Sequence, residues 1–145
     1  MDKKSLVWGI IKIAREHRKT VEKRICSLGI HPSQHHVLVH LAVTGACTQN
    51  QIAEALEVSA AAMAVSLKKL EKGGYIEKKT SSEDCRSNVI VLTAKGEDVV
   101  EKSRRMFEEV DEKMFDTLTE EQQKQFYECM EQIINNLKTM EENQT

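Results

Sequence analysis

Four of the five histidines, His31, His35, His36 and His40, fall within one short stretch, with Cys26 just upstream. Imidazole and thiolate both suit zinc and copper, so these five residues form one candidate metal site. On a helix, His31 and His35 share one face and His36 and His40 another. The competing assignment for the same histidines is structural: a helix cap, a core-edge position and surface positions. A second group is Asp84-Cys85-Arg86. A carboxylate two residues before a guanidinium can hold it by a bidentate pair and fix its direction. An arginine at a loop tip suits a narrow A·T minor groove, where negative potential is concentrated. Cys85 lies between opposite influences, since Arg86 favours its thiolate and Asp84 opposes it. No Gly-rich phosphate loop, Gly-x-Ser-x-Gly elbow or His-Glu-x-x-His occurs, and the carboxylates fall on polar helix faces. Enzymatic chemistry is not expected, and no cofactor is implied.

The elements that must position these residues can be read from spacing. Thr48-x-x-Gln51 is a capping box, followed by Ile52, Ala53 and Leu56 at helical intervals. After a turn at Val58, Ser59 is a good N-cap for a second helix that turns Met63, Leu67 and Leu70 inward and stops at Gly73-Gly74. Two short helices across so tight a turn are a helix-turn-helix signature. Tyr75 to Lys79 and Asn88 to Leu92 read as two strands separated by a polar loop, a hairpin set directly behind that unit. Upstream, Leu6, Ile10, Ile13, Ala14, His17, Val21, Ile25 and Leu28 mark one long amphipathic helix ending near Gly29. His31-Pro32-Ser33-Gln34 opens the next, with Val37, Leu38, Leu41 and Ala42 as its expected buried stripe. Downstream, a long helix runs from Thr93 to about Asp116. Thr119-Glu120-Glu121-Gln122 caps a last one carrying Phe126, Met130, Ile133, Ile134 and Leu137.

The sequence from Leu56 to Lys79, the spacing to Asp84 and Arg86, and then Leu92, Thr93 and Gly96 together resemble the MarR family of bacterial transcription regulators. The resemblance implies a mainly α fold with a small β-hairpin wing: a winged helix-turn-helix with N- and C-terminal dimerisation helices. Residues 1–30 and 115–145 are then expected to dimerise, and residues 31–114 to form the DNA-binding region with its connecting helix. The terminal helices carry more apolar surface than a small winged helix can cover, which leads to the same homodimer. A two-fold dimer presents two recognition helices, suited to double-stranded DNA with palindromic half-sites.

The expected DNA-binding residues are Ser59, Ala60, Ala61, Ala62, Ala64, Ser66, Lys68, Lys69, Lys78, Lys79, Asp84 and Arg86. Alanine cannot hydrogen-bond to base edges and can touch only a thymine methyl. Either this helix approaches closely and leaves specificity to DNA shape and the wing, or its alanines serve helix propensity at positions that meet no base. The resemblance further implies a small aromatic effector, with Trp8, His17 and His35 as candidate lining residues, and a repressor relieved by ligand. A thiol-based oxidant sensor and a metal-sensing regulator using Cys26, His31, His35, His36 and His40 are the other readings, together with a winged helix used only for protein contacts.

Net charge is −2, which looks unsuitable for DNA until the chain is divided. Residues 1–47 carry net +5, residues 48–96 net +1 and residues 97–145 net −8. The acidic tail masks a basic remainder. The start of the chain lacks the pattern of a secretory signal, and four scattered cysteines read as free thiols, so a cytoplasmic protein with no membrane association is expected.

Overall fold

A computed structural model describes residues 2–80 and 88–142. In chain order its elements are α1 (Lys3–Ser27), α2 (Pro32–Thr44), α3 (Gln49–Ala55), α4 (Ala60–Lys72), β1 (Ile76–Thr80), β2 (Asn88–Leu92), α5 (Ala94–Phe115) and α6 (Glu120–Glu142). This is the mainly helical fold with a two-stranded hairpin that the sequence predicts. The chain divides into one unit ending at Phe107 and another beginning at Glu108.

Helix starts follow from side chains that can satisfy free amides. Asp2 accepts from Ser5 N at 2.8 Å. Thr48 and Gln51 complete a reciprocal box at α3, as do Thr119 and Gln122 at α6. His31 does the same for α2: its Nδ1 accepts from Ser33 N at 3.2 Å while Gln34 Oε1 accepts from His31 N at 2.9 Å. His31 is therefore a cap outside the helix, not a partner to His35 on a helical face.

Within the first unit the core gathers Ile25, Ile30, Val37, Leu38, Leu41, Ile52, Met63, Leu67, Leu70, Ile76, Ile90 and Val99. The inward residues of α3 and α4 are those the periodicity selects, whereas Ala42 of the expected α2 stripe is exposed. β1 and β2 are antiparallel, pairing Ile76 with Leu92 and Lys78 with Ile90. Tyr75 stays outside the strand: its N–H closes the end of α4 on Leu70 O at 3.0 Å. Cys47, between α2 and α3, exchanges backbone bonds with Ile90 at 3.2 and 2.7 Å, tying the hairpin to the start of the helix-turn-helix.

The expected apolar stripe of α1 is buried only at its end, at Ile25, with Val21 and Leu28 half-buried. Leu6, Val7, Trp8, Ile10, Ile11 and Ile13 are 44–68 % exposed. In the second unit, the Phe115 and Phe126 rings meet at 6.3 Å, and Ile133, Ile134, Leu137 and Met140 of α6 remain exposed.

Candidate nucleic-acid interface

The outward face of α4 is set by what its inward face needs. Met63, Leu67 and Leu70 are buried, so Ala60, Ala61, Ala62, Ala64 and Val65 face out near the start of the helix and Lys68 and Lys69 further on. Ser66 is half-buried. Ser59 is committed to the cap, its Oγ accepting from Ala62 N at 3.1 Å. The surface is therefore methyl-covered where the helix begins, which permits close approach, and cationic where it ends. Lys68 and Lys69 form no ion pair among the described residues, whereas Lys78 lies 3.4 Å from Glu71 and Lys79 2.9 Å from Glu77. Both pairs are exposed and weak, so either lysine can exchange its carboxylate for a phosphate at small cost. Asp84, Cys85 and Arg86 lie outside the described residues; β1 and β2 lead into and out of their segment.

Two backbone features hold α4. In the turn before it, Glu57 adopts φ 54°, with Val58 N bonded to Ala53 O and Glu57 N to Glu54 O. This is a left-handed cap of the kind glycine usually occupies, and the sequence gives no sign of it. At its far end, four bonds and contacts from the α5 segment close on residues 73–75. Thr93 Oγ1 donates to Gly74 O at 2.6 Å and accepts from Gly96 N at 3.2 Å. Thr93 N donates to Tyr75 O at 3.1 Å. Lys95 Nζ donates to Gly73 O at 2.7 Å and lies 4.4 Å from the centre of the Tyr75 ring. A Cβ on Gly96 would collide with Tyr75 O. The Leu92-Thr93…Gly96 spacing is thus a packing requirement. Lys95 was not among the residues singled out from sequence, because nothing local distinguishes it from other surface lysines.

Of the candidate effector residues, His35 borders a cavity. An open, largely apolar groove of about 480 Å³ is lined by Val21, Ile25, His35, His36, Val39, His40, Val43, Leu56 and Phe107. Trp8 and His17 are exposed on α1 and line none of it. His35 is 3 % exposed. Its Nε2 meets Ser103 Oγ at 2.8 Å, and the same hydroxyl donates to Val100 O at 2.8 Å. Ser103 can then only accept from His35, so the proton sits on Nε2 and Nδ1 is a buried acceptor without a partner among the described residues. Burial, with the neighbouring His36 as a smaller cause, pushes the His35 pKa below the usual imidazole value. The metal candidates do not converge: among the described residues no three His, Cys, Asp or Glu side chains form a metal-sized cluster. Cys26 is exposed, His31 is a cap and His35 is buried against α5.

This arrangement has close counterparts. The family model of the MarR family matches residues 28–87. The regulator YwoH of Bacillus subtilis, described as an uncharacterized HTH-type transcriptional regulator, is 30 % identical over 109 residues, 75 % of this chain and 74 % of YwoH. The HTH-type transcriptional regulator BilQ of Clostridium symbiosum is 28 % identical over 116 residues, covering 80 % and 78 %. Among solved structures, a point variant of Staphylococcus aureus MepR superposes with a TM-score of 0.86 at 25 % identity, over 90 % of this chain and 97 % of that one. MepR solved as a DNA complex superposes with a TM-score of 0.62 at 26 % identity, over 90 % and 95 %. No helix among the described residues is long and apolar enough to cross a membrane.

Proposed function

Because the chain belongs to the MarR family of winged helix-turn-helix transcription regulators, we propose that it is a repressor that binds a palindromic operator as a homodimer and is relieved by a small apolar ligand. The observation that carries the reading is the outward face of α4, small side chains followed by Lys68 and Lys69, directly ahead of a hairpin. The methyl face permits close approach to a groove floor, and the lysines meet phosphate. The bare apolar positions of α1 and α6 support a second copy as their cover, since monomers rarely leave so much apolar surface in water. Two recognition helices in such a dimer fit half-sites about one helical turn, roughly 34–36 Å, apart. The groove beside His35 is of a size and character suited to an effector.

Arg86 is assigned the reading of the minor groove and Asp84 its bracing, on the strength of their types and spacing. With so few polar groups on α4, the wing arginine carries a large share of affinity. Arg86→Ala is expected to cost about 1–3 kcal/mol for each wing. Asp84→Ala separates bracing from bulk charge, because deleting an acid near phosphate should tighten binding on electrostatics alone. Titration of both variants at fixed salt against a duplex selected from random sequence tests this. Bracing predicts weaker binding for both; a folded Asp84→Ala that binds as well as wild type refutes the brace, and a normal Arg86→Ala removes the wing as reader.

A further inference from the structure

Lys95 occupies a position that its own helix disfavours. It lies in the first turn of α5, where the exposed N–H groups give the helix a positive end, and a cation there is repelled. The side chain instead spans to Gly73 O, just past the last residue of α4, where the carbonyls give that helix a negative end. Thr93 acts on the same pair of helix ends with one hydroxyl: it accepts from Gly96 N at the head of α5 and donates to Gly74 O at the tail of α4. The carbonyls of Gly73 and Gly74 thus both accept side-chain bonds from the α5 segment. The Tyr75 ring beneath the Lys95 ammonium adds a cation–π contact.

We propose that Thr93 and Lys95 are positioning residues for DNA recognition: they fix the tilt of α4 by tethering its C-terminal end to the first turn of α5. The proposal rests on the DNA-binding reading above. A recognition helix that presents methyl groups discriminates by close fit, which is steep in distance, while the lysine–phosphate attraction falls off slowly with distance and does not depend on sequence. Loosening the tilt therefore erodes discrimination before it erodes general affinity. A lysine tied to Gly73 O is also not a phosphate contact, so its loss should leave the salt dependence of binding unchanged.

The test uses the full-length protein with two duplexes: one recovered by selection from a random-sequence library, and a shuffled duplex of the same composition. Lys95→Met keeps the stem over Tyr75 and removes the donor and charge; Thr93→Val keeps the shape and removes the hydroxyl. Each is expected to lower affinity for the selected duplex by about threefold to tenfold while leaving the shuffled duplex unchanged, the tethers being exposed and individually modest. Lys95→Arg and Thr93→Ser, which retain the donors, should restore the ratio, and the slope of affinity against salt should match wild type throughout. An unchanged ratio in folded Lys95→Met and Thr93→Val overturns the proposal. So does a Lys95→Met that weakens both duplexes equally and loses about one unit of salt slope for each protomer, the mark of a phosphate contact. A wild-type protein that selects no duplex sinks the DNA-binding reading and the proposal together, whereas a wild type that binds with variants of unaltered ratio sinks the proposal alone.

Discussion

Adding one methyl group at Gly96 is the sharpest perturbation of this fold. A Cβ there would collide with Tyr75 O, and would also lie 3.1 Å from Leu92 Cδ2 and 3.2 Å from the Tyr75 carbonyl carbon. Two of those three neighbours are backbone, so no rotamer change relieves the contact. The start of α5 must move away by roughly 1 Å, since real Cβ contacts are almost never closer than about 3 Å. That displacement lengthens the Thr93 N–Tyr75 O bond, now 3.1 Å, beyond useful range and strains the bond from Thr93 to Gly74. Overpacking costs about 1–3 kcal/mol and a lost backbone bond about 1 kcal/mol. Against this, alanine gains at most about 1 kcal/mol of helix propensity. Gly96→Ala should therefore destabilise by about 2 kcal/mol. With a slope of about 2 kcal/mol/M, the urea midpoint falls by about 1 M with the slope unchanged. Wild type and variant must be compared at one protein concentration, because association would add to apparent stability. A midpoint equal to or above wild type would show that the close approach of α5 to Tyr75 is wrong.

Glu57→Gly should act in the opposite direction: relieving a left-handed residue is worth about 1–2 kcal/mol, of which about 0.4–1 kcal/mol is returned to the freer unfolded chain, so the urea midpoint should rise. His35 contributes a pH dependence. Its folded pKa lies below the unfolded value near 6.5, so the unfolded chain binds the proton more readily. Stability is then full above that value and declines as pH falls below it. His35→Gln, which keeps a donor for Ser103, should flatten the decline in denaturant midpoints below about pH 6.5; an unaltered decline would assign it to other groups.

The sequence by itself determined the order of elements and most of their limits, because these depend on interactions within a few residues. Thr48 with Gln51, Ser59, and Thr119 with Gln122 mark helix starts through local capping bonds. Met63, Leu67 and Leu70 reveal the buried face of α4 through a period that belongs to the helix itself. Even the resemblance carried by Leu92, Thr93 and Gly96 was legible as spacing, though its reason was not. That reason is tertiary: Gly96 must be bare because Tyr75, distant in sequence, passes directly over it. The same holds wherever the sequence misled. His31 and His35 look like a pair until the chain places one in a cap and the other against Ser103, 68 residues away. His17 shares a stripe with Ile25, but α1 is covered only near its end, so His17 stays exposed, as Trp8 does. Lys95 looks like any surface lysine, and only the juxtaposition of two helix ends of opposite polarity gives its charge a destination. Periodicity reports which side of an element is apolar; what lies against that side is decided by the packing of residues far apart in the chain.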